Sequence, residues 1–415
     1  MTLKFPSRPR ALLGLLLTAV LLGCGIGEED LAKWKGIRGG TERLSGFLAS
    51  PQRPLELRVR AARYLFETDA AGQIVYVLQQ APAEDRDLVL EPFFIWLGPR
   101  FLDEDPAVGA RAKDVLYQLV PLAKELSPES IDGTIERFMD WGLEAMFAPK
   151  APAGRPVEQV ITAVGLTWPR RAIPPLIKLM KGAREPAQVV RLSKLGDSFA
   201  DVPGRVALAG ALLDIARKTL PALPEELVVA MAGNGNETLM RFLLDAARDP
   251  EVPLPVRVAC IEKAVPRLGE RAVEGLGALM TSEDPLTHNS LRLAALDQLW
   301  ELRGPKGLVA TLEALPDGRG WPEDGREMAE TIDRFCDDAL KPKAAKARKP
   351  LLEALESENL TARIFAAECV HRLFPDEAVE LLSPLKDDKT PLRGFGGSDE
   401  KPPVLGDLAR GKMPE

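Results

Sequence analysis

Apolar residues recur along this chain every three or four positions. Leu291, Ala295, Leu299 and Leu302 step by four, four and three; Val258, Ile261, Val265 and Leu268 step by three, four and three. Such spacing lays one apolar stripe along a helix of about 3.6 residues per turn. Long runs of strict alternation, the mark of a half-buried strand, are missing. Tyr is scarce, and the helix formers Ala, Leu, Glu and Arg dominate. The expected fold class is all-α.

The predicted helices come in pairs. Residues 253–281 read as helix, short turn, helix, and so do 288–315, 359–386, 53–80 and 155–182. An arginine recurs near the start of the first helix at Arg257, Arg292, Arg326 and Arg363, at intervals of 35, 34 and 37 residues. Repeats of that length belong to helical solenoids, in which each hairpin buries its apolar face against its neighbours.

These segments resemble HEAT repeats. Asp249-Pro250 precedes Val256-Arg257, Asp284-Pro285 precedes Leu291-Arg292, and Asp105-Pro106 precedes Arg111. The run from Ala172 to Met180 is similar to the opening of a HEAT second helix. The resemblance implies a helical-hairpin repeat solenoid, a HEAT/armadillo-like superhelix, over residues 41–386, with 86–150 and 190–250 divergent. It implies an architecture rather than an activity. It also implies that the recurring arginines pair with acidic groups of the same or the next repeat, a reading we prefer to a ligand-binding arginine cluster.

The amino terminus follows another logic. Lys4, Arg8 and Arg10 precede the apolar run from Ala11 to Leu22, and Leu21-Leu22-Gly23-Cys24 closes it. The run is shorter than the ~20 residues a membrane-spanning helix needs. A basic start, a short apolar core and a small residue before the end are the marks of an export signal. The last four residues resemble a bacterial lipobox. That likeness implies cleavage after residue 23 and lipidation of Cys24 with a diacylglyceryl group and an acyl chain of the palmitate type. Several chains together anchor stably, where one holds only weakly. In Gram-negative sorting an Asp after the cysteine favours the inner membrane; Gly25 in that place points to the outer membrane, facing the periplasm. Residues 1–23 carry three basic and no acidic groups, so their removal takes the net charge from −7 to −10. An acidic body of this kind argues against nucleic acid, whose binding needs basic surface.

The ends lack the repeat pattern. Residues 24–40 read as a membrane-proximal linker. Residues 387–415 mix Pro, Gly and charge, and read as disordered or as an extended strap on the last repeat. Besides Cys24 the chain holds Cys260, Cys336 and Cys369. Their apolar helical surroundings suggest buried thiols. One disulfide is open to them in an oxidising compartment, and spacing does not assign it.

Residues that carry chemistry are sparse. Two histidines, His288 and His371, are too few for a zinc site at ligand spacing. There is no Gly-x-Ser-x-Gly elbow and no phosphate loop. Gly233-Asn234-Gly235-Asn236 reads as a helix–helix turn with Asn as the helix cap. The acidic pairs Glu28-Glu29, Glu283-Asp284, Asp337-Asp338 and Asp387-Asp388 read as solvated or helix-terminal charges. Lys341, Lys343, Lys346, Arg348 and Lys349 read as a solvated segment between helices, with contact to anionic lipid as the alternative. Phe93, Phe94, Trp96 and Phe101 crowd together; they form either a buried junction helix or an exposed patch for a partner.

The expected function is a lipid-anchored scaffold for protein–protein interaction at the bacterial cell envelope, with an envelope or periplasmic protein as partner. No enzymatic activity, cofactor or metal is expected. Two alternatives stand beside it: an enzyme on a HEAT-like scaffold, such as a lyase, and a structural spacer in an envelope assembly.

Overall fold

The computed structural model describes residues 26–124, 126, 128–147, 154–280, 289–315, 317, 332–392 and 402–412. Residues 1–25, which include the segment read as an export signal and Cys24, lie outside the described residues, as do Glu283, Asp284, Pro285, His288 and Arg326. Helices dominate what is described; the only β pairing among those residues is one bridge near the carboxyl end. No described helix is long and apolar enough to cross a membrane. The chain forms two compact units. The first runs to Leu179 and includes Ser198–Gly204; the second holds Met180–Asp197 and everything from Arg205 onward.

In the first unit, eight helices form four successive hairpins: α1 Glu28–Trp34 with α2 Gly40–Leu48, α3 Leu55–Glu67 with α4 Ala71–Gln80, α5 Ala83–Leu97 with α6 Pro106–Leu119, and α7 Pro128–Met146 with α8 Val157–Thr167. First helices pack on first helices, α1 on α3, α3 on α5 and α5 on α7. Second helices pack on second helices in the same order. Two layers result, with Leu44, Leu65, Ile74, Leu90 and Leu116 fully buried in the core. The segment 86–150, off the pattern in sequence, continues this alternation in its described helices α5, α6 and α7. Helices α9 Pro169–Gly182 and α11 Val202–Thr219 contain the unit boundaries.

The second unit repeats the scheme. Its first layer holds α10 Pro186–Asp197, α12 Glu225–Asn234, α14 Leu254–Leu268, α16 Asn289–Arg303, a π-helical segment Phe335–Leu340 and α19 Leu360–Leu373. Its second layer holds α13 Glu237–Arg248, α15 Val273–Met280, α17 Leu308–Glu313 and α18 Ala344–Ala354, and the short α20 Ala378–Leu381 follows α19. Trp300 is fully buried, and its indole N–H donates to the Ala339 carbonyl at 3.2 Å.

Local signals start and stop these helices. Asp105 accepts a hydrogen bond from the Ala107 N–H at 2.9 Å, and Pro106 opens α6, where its missing N–H costs nothing. Gly235, at φ 71°, closes α12 and Asn236 caps α13 through the Thr238 N–H at 3.0 Å. Asn359 caps α19 and also donates to the Glu313 and Leu315 carbonyls at 3.2 and 2.6 Å, so one side chain joins two helix ends.

Arginine does the same work between hairpins. The fourth residue of α3 is Arg58 and the fourth of α14 is Arg257. Their Nε–H groups donate to the carbonyls of Leu48 and Ala247, at 2.9 and 2.8 Å, ten residues upstream in both cases. Each carbonyl is among the last of a preceding helix and would otherwise lack an intrahelical donor. Arg58 also grips Asp85 through both terminal nitrogens, at 2.6 and 2.7 Å. Arg363, fourth in α19, pairs with Asp388 at 2.7 Å.

Three expectations need correction. The linker read over 24–40 is helical from Glu28 to Trp34, because Leu31 is fully buried and three acidic residues favour a helix amino terminus. Of the two readings of the tail, disordered or a strap on the last repeat, the second fits over 387–392 and 402–412, which are folded. Pro391 pairs with Val404, and α21 Leu405–Ala409 packs on α19 with Leu405, Leu408 and Ala409 buried. Gly406 makes this approach possible: a Cβ there would lie 2.6 Å from the Lys386 carbonyl oxygen. Residues 393–401 and 413–415 lie outside the described residues. Finally, Cys336 and Cys369 are joined in a disulfide, with Cα atoms 5.2 Å apart, rather than lying as free thiols; Cys260 remains a buried free thiol. Both paired cysteines face the same core layer, one from the π-helical segment and one from α19.

Candidate interaction surface

The aromatic cluster divides. Phe93, Phe94 and Phe101 are buried, at 0%, 1% and 5% exposure, and leave the partner-binding set. The reason is position: α5 lies between α3 and α7, and both neighbours cover it. Phe101 packs on Phe138 and Trp141 with ring centroids 4.5 and 4.8 Å apart. Trp96 alone reaches the surface, half-buried. It stacks on Phe93 at 5.6 Å and meets Phe66 edge to face at 5.5 Å.

Two arginines flank this ring. The Arg100 guanidinium carbon lies 3.4 Å from the Trp96 centroid, and its Nη1 donates to the Trp96 carbonyl at 2.6 Å. The Arg63 guanidinium lies 5.5 Å from the same ring. Cations over an indole face are attracted by its quadrupole. Burial lowers the pKa of both arginines, and the nearby charges of Arg60 and Arg100 lower that of Arg63 further. Among the described residues neither makes an ion pair, and the buried Arg63 Nε has no hydrogen-bond partner. Nearby carboxylates are engaged elsewhere: Glu28 by Arg60 at 3.1 Å and Glu67 by Lys35 at 2.5 Å. Arg100 stands four residues after Trp96, a helical spacing visible in sequence. Arg63 lies on another helix and gave no sequence signal.

A row of acids crosses the first layer of the second unit. Glu262, Asp297 and Glu368 each sit five residues after the recurring arginine of α14, α16 and α19. Burial pushes the Asp297 carboxyl up to about 6, aided by the charges of Asp338, Glu301 and Glu262 and opposed by Arg334. Glu368 is raised by burial and then by Asp333, with His371 and Arg372 opposing. Because Asp297 holds its proton in the folded state to higher pH than in the unfolded one, stability falls as pH rises from about 4 to 6. Asp297→Asn is therefore expected to stabilise the protein at pH 8 by up to about 3 kcal/mol and to change little at pH 4. Urea midpoints at the two pH values test this; an equal gain at both would remove the carboxylate's charge as the cause.

Other candidates resolve into structural roles. The basic segment is largely paired: Lys341 with Asp337 at 3.4 Å, Lys343 with Glu301 at 3.2 Å, Lys349 with Glu353 at 3.6 Å, and Arg348 with Glu377. His371 bonds the Leu408 carbonyl at 2.9 Å, holding α21. Burial pushes the Cys260 thiol up to about 12, so no thiolate nucleophile is available there. Among the described residues no group of His, Cys, Asp and Glu is placed to hold a metal ion. A groove of about 550 Å³ lies along α13 and α15, lined by Arg241, Leu244, Arg248, Arg271 and Glu274. Glu237 satisfies Arg241 and Arg271, and Arg248 donates to the Gly275 carbonyl at 3.3 Å.

No known protein family matches the sequence, and no curated protein does. Two solved structures with similarity to this chain are an engineered protein and a TOG-domain array from microtubule polymerases that recruit tubulin. The first has 14% identity, covers 90% of this chain and 97% of its own, and has a TM-score of 0.29. The second has 10% identity, covers 84% and 91%, and has a TM-score of 0.23. At those scores neither match carries an argument. The helices and their packing define the class directly: an all-α helical-hairpin repeat protein, a solenoid.

Proposed function

We propose that this protein is a lipid-anchored, non-enzymatic scaffold that holds a protein partner at the bacterial cell envelope, on the periplasmic side of the outer membrane. The observation that carries the reading is the two-layer helix array within each unit. Arg58 and Arg257 are spent on bonds to the preceding hairpin, and the outer helix faces of such an array are the surface we assign to a partner. The lipobox-like Leu21-Leu22-Gly23-Cys24 supports the anchor. The Cys336–Cys369 disulfide suits an oxidising compartment. The net charge of −7 disfavours nucleic acid. Tethering raises the effective concentration of the partner site, so modest affinity suffices.

The test is crosslinking of tagged protein in intact cells, followed by solubilisation, capture and mass spectrometry, beside a Cys24→Ala control. A reproducible envelope partner that is weakened in the control is the expected result. A stable assembly lost on deletion, with no transient partner, would favour a structural spacer. Absence of any enriched protein from wild type would overturn the scaffold reading.

A further inference from the structure

We infer that Arg63, Trp96 and Arg100 form a headgroup-binding patch that seats the first unit on anionic phospholipid beside the anchor. This rests on the reading of Cys24 as the lipidated residue and adds a second contact to it.

Position supports the patch first. Glu28, the first residue of α1, is salt-bridged to Arg60 of α3 at 3.1 Å. Arg63 is one helical turn further along α3. Only Gly25, Ile26 and Gly27 separate Glu28 from Cys24. Extended chain covers roughly 3.5 Å per residue, so a lipidated Cys24 holds this end of α1 within about 15 Å of the headgroups. Arg63 lies on α3, which packs directly on α1, and Trp96 on α5, the next helix of the same layer.

Charge supports it next. Glu28 and Glu67 are bridged to Arg60 and Lys35 and also act on Arg63 and Arg100, and Asp103 acts on Arg100, so the four cations of this cluster outnumber its three carboxylates by one. Arg63 and Arg100 are part-desolvated and close enough to repel one another. A phosphate diester relieves that repulsion and accepts two guanidinium N–H bonds at once, which suits arginine better than lysine. Trp96 has the amphipathic ring favoured at membrane interfaces, and Phe66 and Phe93 hold it in place. Leu88 and Ile95 stand seven residues apart on α5, at 57% and 48% exposure, and add apolar surface next to Trp96 along the same helix.

The experiment uses the native lipidated protein reconstituted into vesicles. Flotation reads the anchor. Quenching of tryptophan emission by brominated phosphatidylglycerol reads the patch, with brominated phosphatidylcholine as the neutral control. We expect quenching in phosphatidylglycerol that falls in both Trp96→Phe and the Arg63→Gln/Arg100→Gln variant, to the level contributed by Trp34 at the end of α1. Two basic contacts correspond to roughly thirtyfold in local affinity. Flotation with equal quenching in wild type and Trp96→Phe would overturn the patch and leave the anchor standing. Flotation that fails, or persists unchanged in Cys24→Ala, would overturn the anchor reading and this inference with it. No quenching, together with a polyglutamate peptide that binds wild type but not Arg63→Gln/Arg100→Gln, would give the patch to an acidic protein partner instead. Should the arginine double variant lose its native near-ultraviolet circular dichroism, Trp96→Phe alone decides, since phenylalanine keeps the aromatic packing.

Discussion

Arg58→Ala is expected to destabilise the protein by about 2–4 kcal/mol, because it strands a half-buried carboxylate and a helix-end carbonyl and empties a buried site. Arg58 is 3% exposed and its partner Asp85 17%. The guanidinium makes two short bonds to Asp85 and a third to the Leu48 carbonyl. One side chain thus joins α2, α3 and α5. Alanine leaves the Asp85 charge and the Leu48 oxygen without these donors and opens a cavity the length of an arginine. Arg58→Lys is expected to cost less, since an ammonium keeps the charge but cannot reproduce the planar fork. Arg58→Met with Asp85→Leu is expected to recover much of the loss, because a well-packed apolar pair avoids the desolvation penalty. Urea denaturation of the four proteins measures this. A loss under about 1 kcal/mol for Arg58→Ala would mean that solvent replaces the arginine, as it does at exposed pairs.

Removing the Cys336–Cys369 bond is expected to cost about 4 kcal/mol. The two cysteines lie 33 residues apart and are fully buried. Closing a loop of that length lowers the entropy of the unfolded chain by an amount worth about 3–4 kcal/mol. The bond ties the π-helical segment to α19, so reduction is expected to loosen the carboxyl-terminal repeats first. Cys336→Ala/Cys369→Ala is the cleaner variant, since serine would bury an unpaired hydroxyl. Urea midpoints of oxidised protein, reduced protein and the double variant give the value. Equal midpoints for all three would remove the bond from the account of stability. The same bond bears on location: protein made in a reducing compartment is expected to behave like the double variant.

Much of the fold was legible in the order of residues. Helix formation is local, and the three-and-four spacing in Leu291–Leu302 and Val258–Leu268 falls within α16 and α14. Asn236 caps a helix where a short polar residue after glycine suggested one. The recurring arginine acts as a structural tie at Arg257 and Arg363, and Arg58 shows the full form of the tie. These features depend on residues within a turn or two of one another, or on a period that repetition makes visible.

What tertiary structure alone decided is which distant groups meet. Asp85 follows Arg58 by 27 residues and Cys369 follows Cys336 by 33. Arg63 precedes Trp96 by a similar interval, on a different helix. Nothing in the spacing selects these partners from other candidates, because a repeat brings several residues of each hairpin near several of the next. Burial was decided the same way. Phe93, Phe94 and Phe101 looked equivalent to Trp96 in sequence, yet packing of α5 against α3 and α7 covers Phe93 and Phe94, Phe138 and Trp141 of α7 cover Phe101 in the turn after α5, and Trp96 is left at the surface. The tail was hidden by its Pro, Gly and charge content. Leu392, Leu405 and Leu408 bury themselves only because α19 and the backbone at Lys386–Asp388 supply a surface to receive them. Periodicity in the chain specifies helices and the stripe each one hides; the stacking of those helices decides which side chains share a charge, a sulfur bond or an open face.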